Sequence, residues 1–165
     1  MAELTTLESK LAEVTGLAMA ARGSGLKVQK LAEQEDARDL VQALDRMARE
    51  AAETEERCTR LAATIEGKKT ALLEKARETK REAEEMARTY LGDDADALDG
   101  FEFLTMAEAG EVGHWEIVDV LARKAGNKQV QELAAWAIPI QQRHLKNARQ
   151  GSLKLAEQEN PNEAA

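Results

Sequence analysis

The segment from Leu104 to Ala125 repeats its apolar residues at the spacing of an α-helix, and two ionisable side chains interrupt the repeat. The series at i, i+3, i+4 and i+7 consists of Leu104, Ala107, Glu111, His114, Val118, Leu121 and Ala125. Glu111 and His114 are therefore predicted to lie on the buried face of a helix. A buried carboxylate and imidazole are costly unless each is paired, hydrogen-bonded or bound to a cation.

A second apolar series with the same kind of interruption lies nearer the C-terminus. It consists of Val130, Ala134, Ala137, Gln141, His144 and Ala148. The chain contains 2 histidines, and each ends a Glu-x-x-His or Gln-x-x-His motif on a face predicted to be buried. Glu111 with His114, and Gln141 with His144, are therefore the first candidates for a polar site inside a helical protein.

Composition supports long helices throughout. The 165 residues are 43% hydrophobic and 33% charged, with 3% aromatics and 2 prolines, which is typical of helical proteins. We expect one all-α domain over residues 1–155, an antiparallel bundle, followed by a disordered tail over residues 156–165.

The first two helices have recognisable ends. Thr5 and Glu8 match a capping box, so the first helix is predicted to begin there. Its apolar phase passes unchanged through Gly23–Gly25, which either is a weak spot in one long helix or separates two short ones. The unbroken phase favours one helix. Asp36 is predicted to cap the second helix, which ends at Gly67.

Three further helices are predicted. Residues 68–91 are densely charged, so this helix either lies on the surface or serves as a long crossover. The fourth helix runs from about residue 99 to residue 124. The fifth runs from about residue 128 to beyond residue 147, with a kink one turn before Pro139.

Charge and cysteine content exclude several classes of protein. A net charge of −8 argues against nucleic acid or an anionic membrane as a partner. The single Cys58 cannot form an internal disulfide, which predicts a reducing, cytoplasmic location. The N-terminal residues lack the pattern of a signal peptide, and no apolar run is long enough to span a bilayer. No Gly-x-Ser-x-Gly elbow or phosphate-binding loop is present.

Glu53 and Glu56 on the second helix admit two interpretations. They flank the apolar series, so Glu53 can pair in solvent with Arg57, four residues on. Alternatively, both turn inward beside Glu111 and contribute to a site. On the first helix, Glu13 borders the apolar series and is the best candidate for a ligand.

Two stretches resemble a known family. They are ALDRMAREAAETEERCTRL at residues 43–61 and AEAGEVGHWEI at residues 107–117, with a glycine and a charged helix between them. In this order they resemble the bacterial ferritin-like family of the YciE/YciF type over roughly residues 38–150. The resemblance implies a ferritin-like four-helix bundle with an additional charged helix, dimerisation, a role in stress defence, and a two-metal carboxylate site similar to those of rubrerythrin and ferritin.

The resemblance also suggests the ligands. Iron or manganese would be held by the following residues, the last two completing or orienting the site: Glu53, Glu56, Glu111, His114, Gln141 and His144. Three positions depart from the family pattern: Arg57 replaces a histidine or glutamine, Gly113 a glutamate, and Gln141-Gln142 acidic residues. Because amides bind iron less well than carboxylates, the site is altered or lost if these departures matter. Ferroxidase-like or peroxide-consuming chemistry is expected if iron binds.

Three other interpretations stay open. In one, the same polar residues form a metal-free hydrogen-bond network that fixes the register of the helices. In another, amphipathic helices open onto a lipid or a partner helix. In the third, the segment Gly151–Lys154 (GSLK) resembles the short tag that docks cargo in encapsulin shells, although it can equally continue the fifth helix.

Overall fold

The structure is a computed structural model that describes residues 2–35 and 37–163, and all regular structure in that part of the chain is helical. The helices are α1 (Thr6–Gln34), α2 (Arg38–Thr64), α3 (Lys69–Tyr90), α4 (Ala97–Ala125) and α5 (Lys128–Ala156). The all-α prediction is confirmed. The predicted cap at Asp36 lies outside the described residues. Within those residues, no helix is long and apolar enough to cross a membrane.

Several predicted helix ends are confirmed. The Thr5 side chain accepts a hydrogen bond from the Glu8 amide, and the Glu8 side chain accepts one from the Thr5 amide. Helix α1 continues without a break through Gly23–Gly25. At the end of α4, Gly126 has φ of 65°, a left-handed conformation that a glycine adopts without steric cost. Helix α5 runs through Pro139.

Four of the helices form a closed ring of antiparallel neighbours. Helix α1 packs against α2 and α4, and α5 packs against the same two helices. Short connections between α1 and α2, and between α4 and α5, impose the antiparallel directions. Helices α1 and α5 therefore lie diagonally across the ring from each other, as do α2 and α4.

Helix α3 lies outside the ring and runs parallel to α1. At one end, Lys68 Nζ lies 2.7 Å from Glu8 Oε2, and at the other Lys27 donates a hydrogen bond to the Leu91 carbonyl. A Cβ atom at position 16 would overlap the carbonyl oxygen of Ala76, so Gly16 allows the close approach of α1 and α3. Helix α3 connects the C-terminal end of α2 to the N-terminal end of α4, which lie at opposite ends of the ring. It is therefore the long crossover, one of the two alternatives predicted from the sequence.

The core of the ring has two apolar ends. The first, here the Phe101 end, contains Val28, Leu40, Leu44, Met47, Phe101, Leu104 and Leu155. The second, here the Trp115 end, contains Leu11, Val14, Cys58, Trp115, Val118, Val130 and Leu133. Between them, α2, α4 and α5 place polar side chains towards the centre of the ring. This central polar layer consists of Glu50, Thr54, Glu108, Glu111, Gln141 and His144.

Candidate functional site

The central polar layer is almost completely enclosed. Glu108, Glu111, Gln141 and His144 are each at most 6% exposed. They occupy the buried faces of α4 and α5, where the helical repeat would otherwise place apolar residues. Glu50 reaches in from α2 and keeps 21% of its side chain exposed. Three carboxylates and one imidazole thus converge from three helices.

His144 lies between two of these carboxylates. Its Nε2 atom is 2.7 Å from Glu50 Oε2, and its Nδ1 atom is 3.5 Å from Glu108 Oε2. Burial by itself would lower the pKa of His144, but Glu108 and Glu50 outweigh burial and raise it. The two carboxylates therefore favour the charged form of the imidazole, which bridges α2, α4 and α5.

The second carboxylate oxygen of Glu50, Oε1, also has a charged partner. Arg143 Nη2 lies 2.7 Å from Glu50 Oε1. Partial burial would raise the pKa of Glu50, yet the hydrogen bonds from His144 and Arg143 lower it. Glu50 is consequently ionised more readily than an exposed glutamate.

Glu111 has the opposite electrostatic environment. Burial, and then the charge of Glu108, raise the pKa of Glu111 well above its ordinary value of 4.5. The Gln141 amide nitrogen donates a hydrogen bond to Glu111 Oε2, which opposes that rise only in part. Glu111 therefore keeps a proton inside the bundle under conditions in which an exposed glutamate is ionised.

Two buried oxygens of the layer, Glu108 Oε2 and Gln141 Oε1, have no hydrogen-bond partner among the described residues. The 3.5 Å approach of His144 Nδ1 gives Glu108 an ion pair that is too long for a normal hydrogen bond. Unsatisfied buried oxygens of this kind are rare in native structures. No described group of the protein satisfies these two oxygens with a hydrogen bond.

The structure brings together Glu111, Gln141 and His144 from the predicted set, but it places His114 elsewhere. The buried face of α4 follows Phe101, Leu104, Glu108, Glu111, Trp115, Val118 and Ala122. Trp115 is fully buried, as expected for core bulk, and takes the position that the sequence pattern gave to His114. His114 is 38% exposed, and its Nδ1 atom lies 3.6 Å from Glu13 Oε2.

Glu53 and Glu56 do not turn inward. Glu53 Oε1 lies 2.8 Å from Arg57 Nη2, and Glu56 Oε1 lies 3.6 Å from Arg60 Nη1. Both glutamates are about half exposed or more, at 47% and 66%. The solvent-exposed pairing of Glu53 with Arg57 is confirmed, and the inward arrangement beside Glu111 is not formed. The physical reason is that Thr54 and Cys58 occupy the centre of the buried face of α2.

Sequence analysis missed Glu50 and Glu108. Glu108 precedes Glu111 by three residues, so the same helical phase that selected Glu111 should have selected it. Glu50 stands beside Ala51, at the edge of the buried face of α2. Its role depends on His144 and Arg143, 94 and 93 residues away, and no local pattern contains that information.

A groove of about 830 Å³ leads from solvent to the layer. It lies between α1, α3 and α4, where α3 and α4 barely touch. Its apolar lining consists mainly of Leu17, Ala20, Ala21, Ala83, Met86, Ala87, Phe103, Met106 and Ala107, and its polar lining includes Glu13, Glu108, Glu111 and His114. Small molecules and ions therefore have a route to Glu108 and Glu111.

The segment Gly151–Lys154 belongs to α5. A Cβ atom at position 151 would overlap the Phe101 ring, so Gly151 is part of the packing between α4 and α5. The Ser152 hydroxyl donates a hydrogen bond to the Ala148 carbonyl. To serve as a docking tag for a shell, this segment would have to leave the helix and expose Phe101.

The chain matches no protein-family model, no curated protein and no solved structure. Over residues 2–35 and 37–163, no three His, Cys, Asp or Glu side chains are placed so that, as they stand, they could hold one metal ion. In this arrangement, hydrogen bonds join side chains of the layer to one another. Its donor types, three carboxylates, an imidazole and an amide oxygen, are those that iron and manganese bind in proteins.

Proposed function

We propose that the protein is a ferritin-like helical bundle that binds iron or manganese in its central polar layer. The ligands would be Glu50, Glu108, Glu111 and His144, with Gln141 as a further oxygen donor. The observation that carries this proposal is the pair of unpartnered buried oxygens, Glu108 Oε2 and Gln141 Oε1, in a cluster that already contains three carboxylates. A cation supplies what such oxygens lack.

The arrangement of the helices supports the ferritin-like part of the proposal. Ferritin-like bundles have one long crossover, and their metal ligands project inward from facing helices. Here α3 connects the far ends of α2 and α4, and the layer lies midway along the ring. The resemblance of residues 43–61 and 107–117 to the YciE/YciF family agrees with this topology. The ligand set differs from that expected, because Glu50 and Glu108 stand in for Glu53, Glu56 and His114.

Cation binding would use protons that the layer now holds. The pKa values of Glu111 and His144 are both raised, so the metal-free layer favours the protonated form of each side chain. A metal ion needs the ionised carboxylate and the neutral imidazole, and it therefore has to displace both protons. Binding should be tighter at pH 8 than at pH 6, and it should release protons into solution.

The groove would give such a site access to small oxidants. Bound iron with an open coordination position would supply ferroxidase-like or peroxide-consuming chemistry. The chain's own contribution is to exclude bulk water with the apolar walls of the groove and to orient His144 through Glu50. A role in stress defence follows from this chemistry and from the family resemblance.

The decisive experiment is metal analysis of protein purified without a chelating tag and then equilibrated with Fe²⁺ or Mn²⁺ under anaerobic conditions. We expect stoichiometric metal that is lost in Glu108→Ala, Glu111→Ala and His144→Ala. Glu56→Ala is the matched control, because Glu56 is exposed and pairs only with Arg60. Protein that takes up no metal, or that loses metal equally in the control, would contradict the proposal.

A metal-free structural network is the second candidate function. It is favoured by the contacts that already join the layer, His144 to Glu50 and Gln141 to Glu111. In this case the layer fixes which faces of α2, α4 and α5 meet. Neither the parent protein nor any of the same three variants would then bind metal. The variants would differ from the parent only in thermal stability.

A further inference from the structure

The face of α4 that points away from the core is apolar in the middle. This surface, here called the outer α4 face, consists of a half-buried glycine, Gly113, and five exposed residues: Met106, Ala109, Gly110, Ile117 and Val120. They follow the same helical repeat as the buried face but lie about half a turn from it. Met106, Ile117 and Val120 are 40%, 45% and 50% exposed, which is unusual for such large apolar side chains. Within the described chain nothing covers this face.

The two glycines of the outer α4 face have no packing role inside the molecule. A Cβ atom at Gly110 or Gly113 would meet nothing within 4 Å. Gly100 of the same helix differs, because a Cβ atom there would press on Val28. A glycine in a helix interior makes the helix less stable than an alanine would. Flat, glycine-containing helix surfaces allow another helix to approach closely.

Charges at the two ends of the outer α4 face indicate which partner can bind there. Asp99 and Glu102 are exposed near the start of α4, and Lys124 is exposed near its end. An antiparallel copy of α4, centred between residues 111 and 112, would bring Lys124 opposite Asp99 and next to Glu102. A parallel copy would bring like charges together.

The same antiparallel register matches the apolar part of the face. Met106 falls opposite Ile117 of the other copy, and Gly110 falls opposite Gly113. Because the relation is reciprocal, each contact occurs twice around a two-fold axis. The face is therefore complementary to itself, in shape as well as in charge.

We propose that two copies of this chain associate through the outer α4 face, antiparallel and with their helices closest at Gly110 and Gly113. This interface is continuous with the groove, because Met106 and Gly110 also line it. One helix pair buries less than the roughly 800 Å² per partner of a standard interface. The dimer is accordingly weak and depends on protein concentration. The proposal does not rest on metal binding.

Sedimentation equilibrium over a range of protein concentrations tests the interface. The wild type should shift from the 18.1 kDa monomer towards twice that mass, and Ile117→Lys should raise the dissociation constant at least about tenfold by burying an unpaired charge. Leu153→Lys is the matched control, because Leu153 is an equally exposed apolar residue on α5. A wild type that stays monomeric at millimolar concentration, or a dimer that Ile117→Lys leaves intact, overturns the proposal.

A charge exchange tests the register. Glu102 and Lys124 are exposed, and neither forms an ion pair or hydrogen bond within the described residues. Glu102→Lys and Lys124→Glu should each weaken the dimer by about three- to tenfold, since two symmetric pairs become repulsive. The double variant should recover part of that loss but not all of it, because the new carboxylate at position 124 then faces Asp99. A double variant that dimerises no better than the single ones rules out this pairing.

Distance measurement tests the direction of the helices. Ala125 is exposed at the end of α4, and Cys58 is fully buried, so a spin label on Ala125→Cys reports on one position. Antiparallel helices in the proposed register place the two labels about 40 Å apart, at 1.5 Å rise per residue. A distance below about 20 Å would indicate parallel helices and would contradict the proposed arrangement.

Discussion

The same helices form the two ends of the helical ring and its middle, but the side chains that they bury differ in polarity. At the Phe101 and Trp115 ends, large side chains such as Phe101 and Trp115 are at most 1% exposed and pack against other apolar groups. In the middle, Glu111 and His144 are as well buried as many of those residues. The ends gain free energy from burial, whereas the middle must offset the cost of removing charges from water.

This difference shows how stability and function are divided along the bundle. The apolar ends stabilise the ring by burying large side chains, whereas the central polar layer carries the cost of removing polar groups from water. A layer retained at such a cost is either a binding site or a means of specifying which helix faces meet. The predictions below separate these contributions.

The largest effect should come from truncation at an apolar end. Trp115→Ala removes a fully buried side chain from the Trp115 end, and we expect it to lower the free energy of unfolding by about 3–5 kcal/mol. Urea denaturation at 25 °C measures this change. Trp115→Phe is the control and should cost much less, because the Trp115 indole nitrogen has no hydrogen-bond partner to lose. Equal losses in both variants would mean that the ring is not held by apolar packing there.

A smaller loss is expected when the cation is removed from the middle. His144→Ala leaves Glu108 buried without a positive charge opposite it. Breaking a buried ion pair lowers the free energy of unfolding by about 3 kcal/mol. The loss should be smaller here, because Glu50, the other carboxylate paired with His144, is partly exposed to water. Adding Glu108→Gln to His144→Ala should recover part of that loss by removing the unpaired charge. Denaturation of the metal-free protein checks both steps. A double variant less stable than His144→Ala would show that Glu108 does not interact with His144 as an ion.

Sequence periodicity predicted the ends better than the middle. The repeat from Val130 to Ala148 lies on a buried face, as expected. On α4 the prediction followed Glu111 by three residues to His114, but the buried face continues four residues on, at Trp115. Both steps fit a period of 3.6 residues, so periodicity alone does not choose between them.

The composition of the central polar layer was only partly accessible to sequence. Glu111, Gln141 and His144 could be predicted to be buried because each falls inside an apolar repeat. Glu50 could not, since it borders such a repeat and is drawn in by His144 from a distant helix. Glu53 has the same chemical type and lies three residues away, yet it faces Arg57 in solvent. Tertiary pairing, not residue type, separates these two glutamates.

The pH dependence of stability should report on Glu111. Its raised pKa means that its contribution to stability is complete below pH 4.5, the ordinary value, and is lost as the pH rises through the folded-state pKa. His144, also raised, acts in the same direction above its ordinary value of 6.5. Glu50, whose pKa is lowered, acts in the opposite direction and only at acidic pH.

We therefore expect the stability of Glu111→Gln relative to the wild type to increase progressively as the pH rises above 4.5. The difference should grow by at most about 1.4 kcal/mol per pH unit, the value for one proton. Denaturation curves at several pH values in the absence of metal measure it. Parallel curves for the two proteins would mean that Glu111 is not held protonated in the folded state.

The smallest effect is expected at the glutamate that sequence analysis had placed in the site. Glu53→Gln removes an exposed pair with Arg57, and such surface pairs contribute about 0–1 kcal/mol. Because the guanidinium of Arg57 also lies 4.1 Å from the centre of the Trp136 ring, Arg57→Ala should cost more than Glu53→Gln. Denaturation at low and high salt tests this order, since only the ion pair is screened. A loss in Glu53→Gln comparable with that in His144→Ala would mean that Glu53 acts inside the bundle after all, and that the boundary between the central polar layer and the surface lies elsewhere on α2.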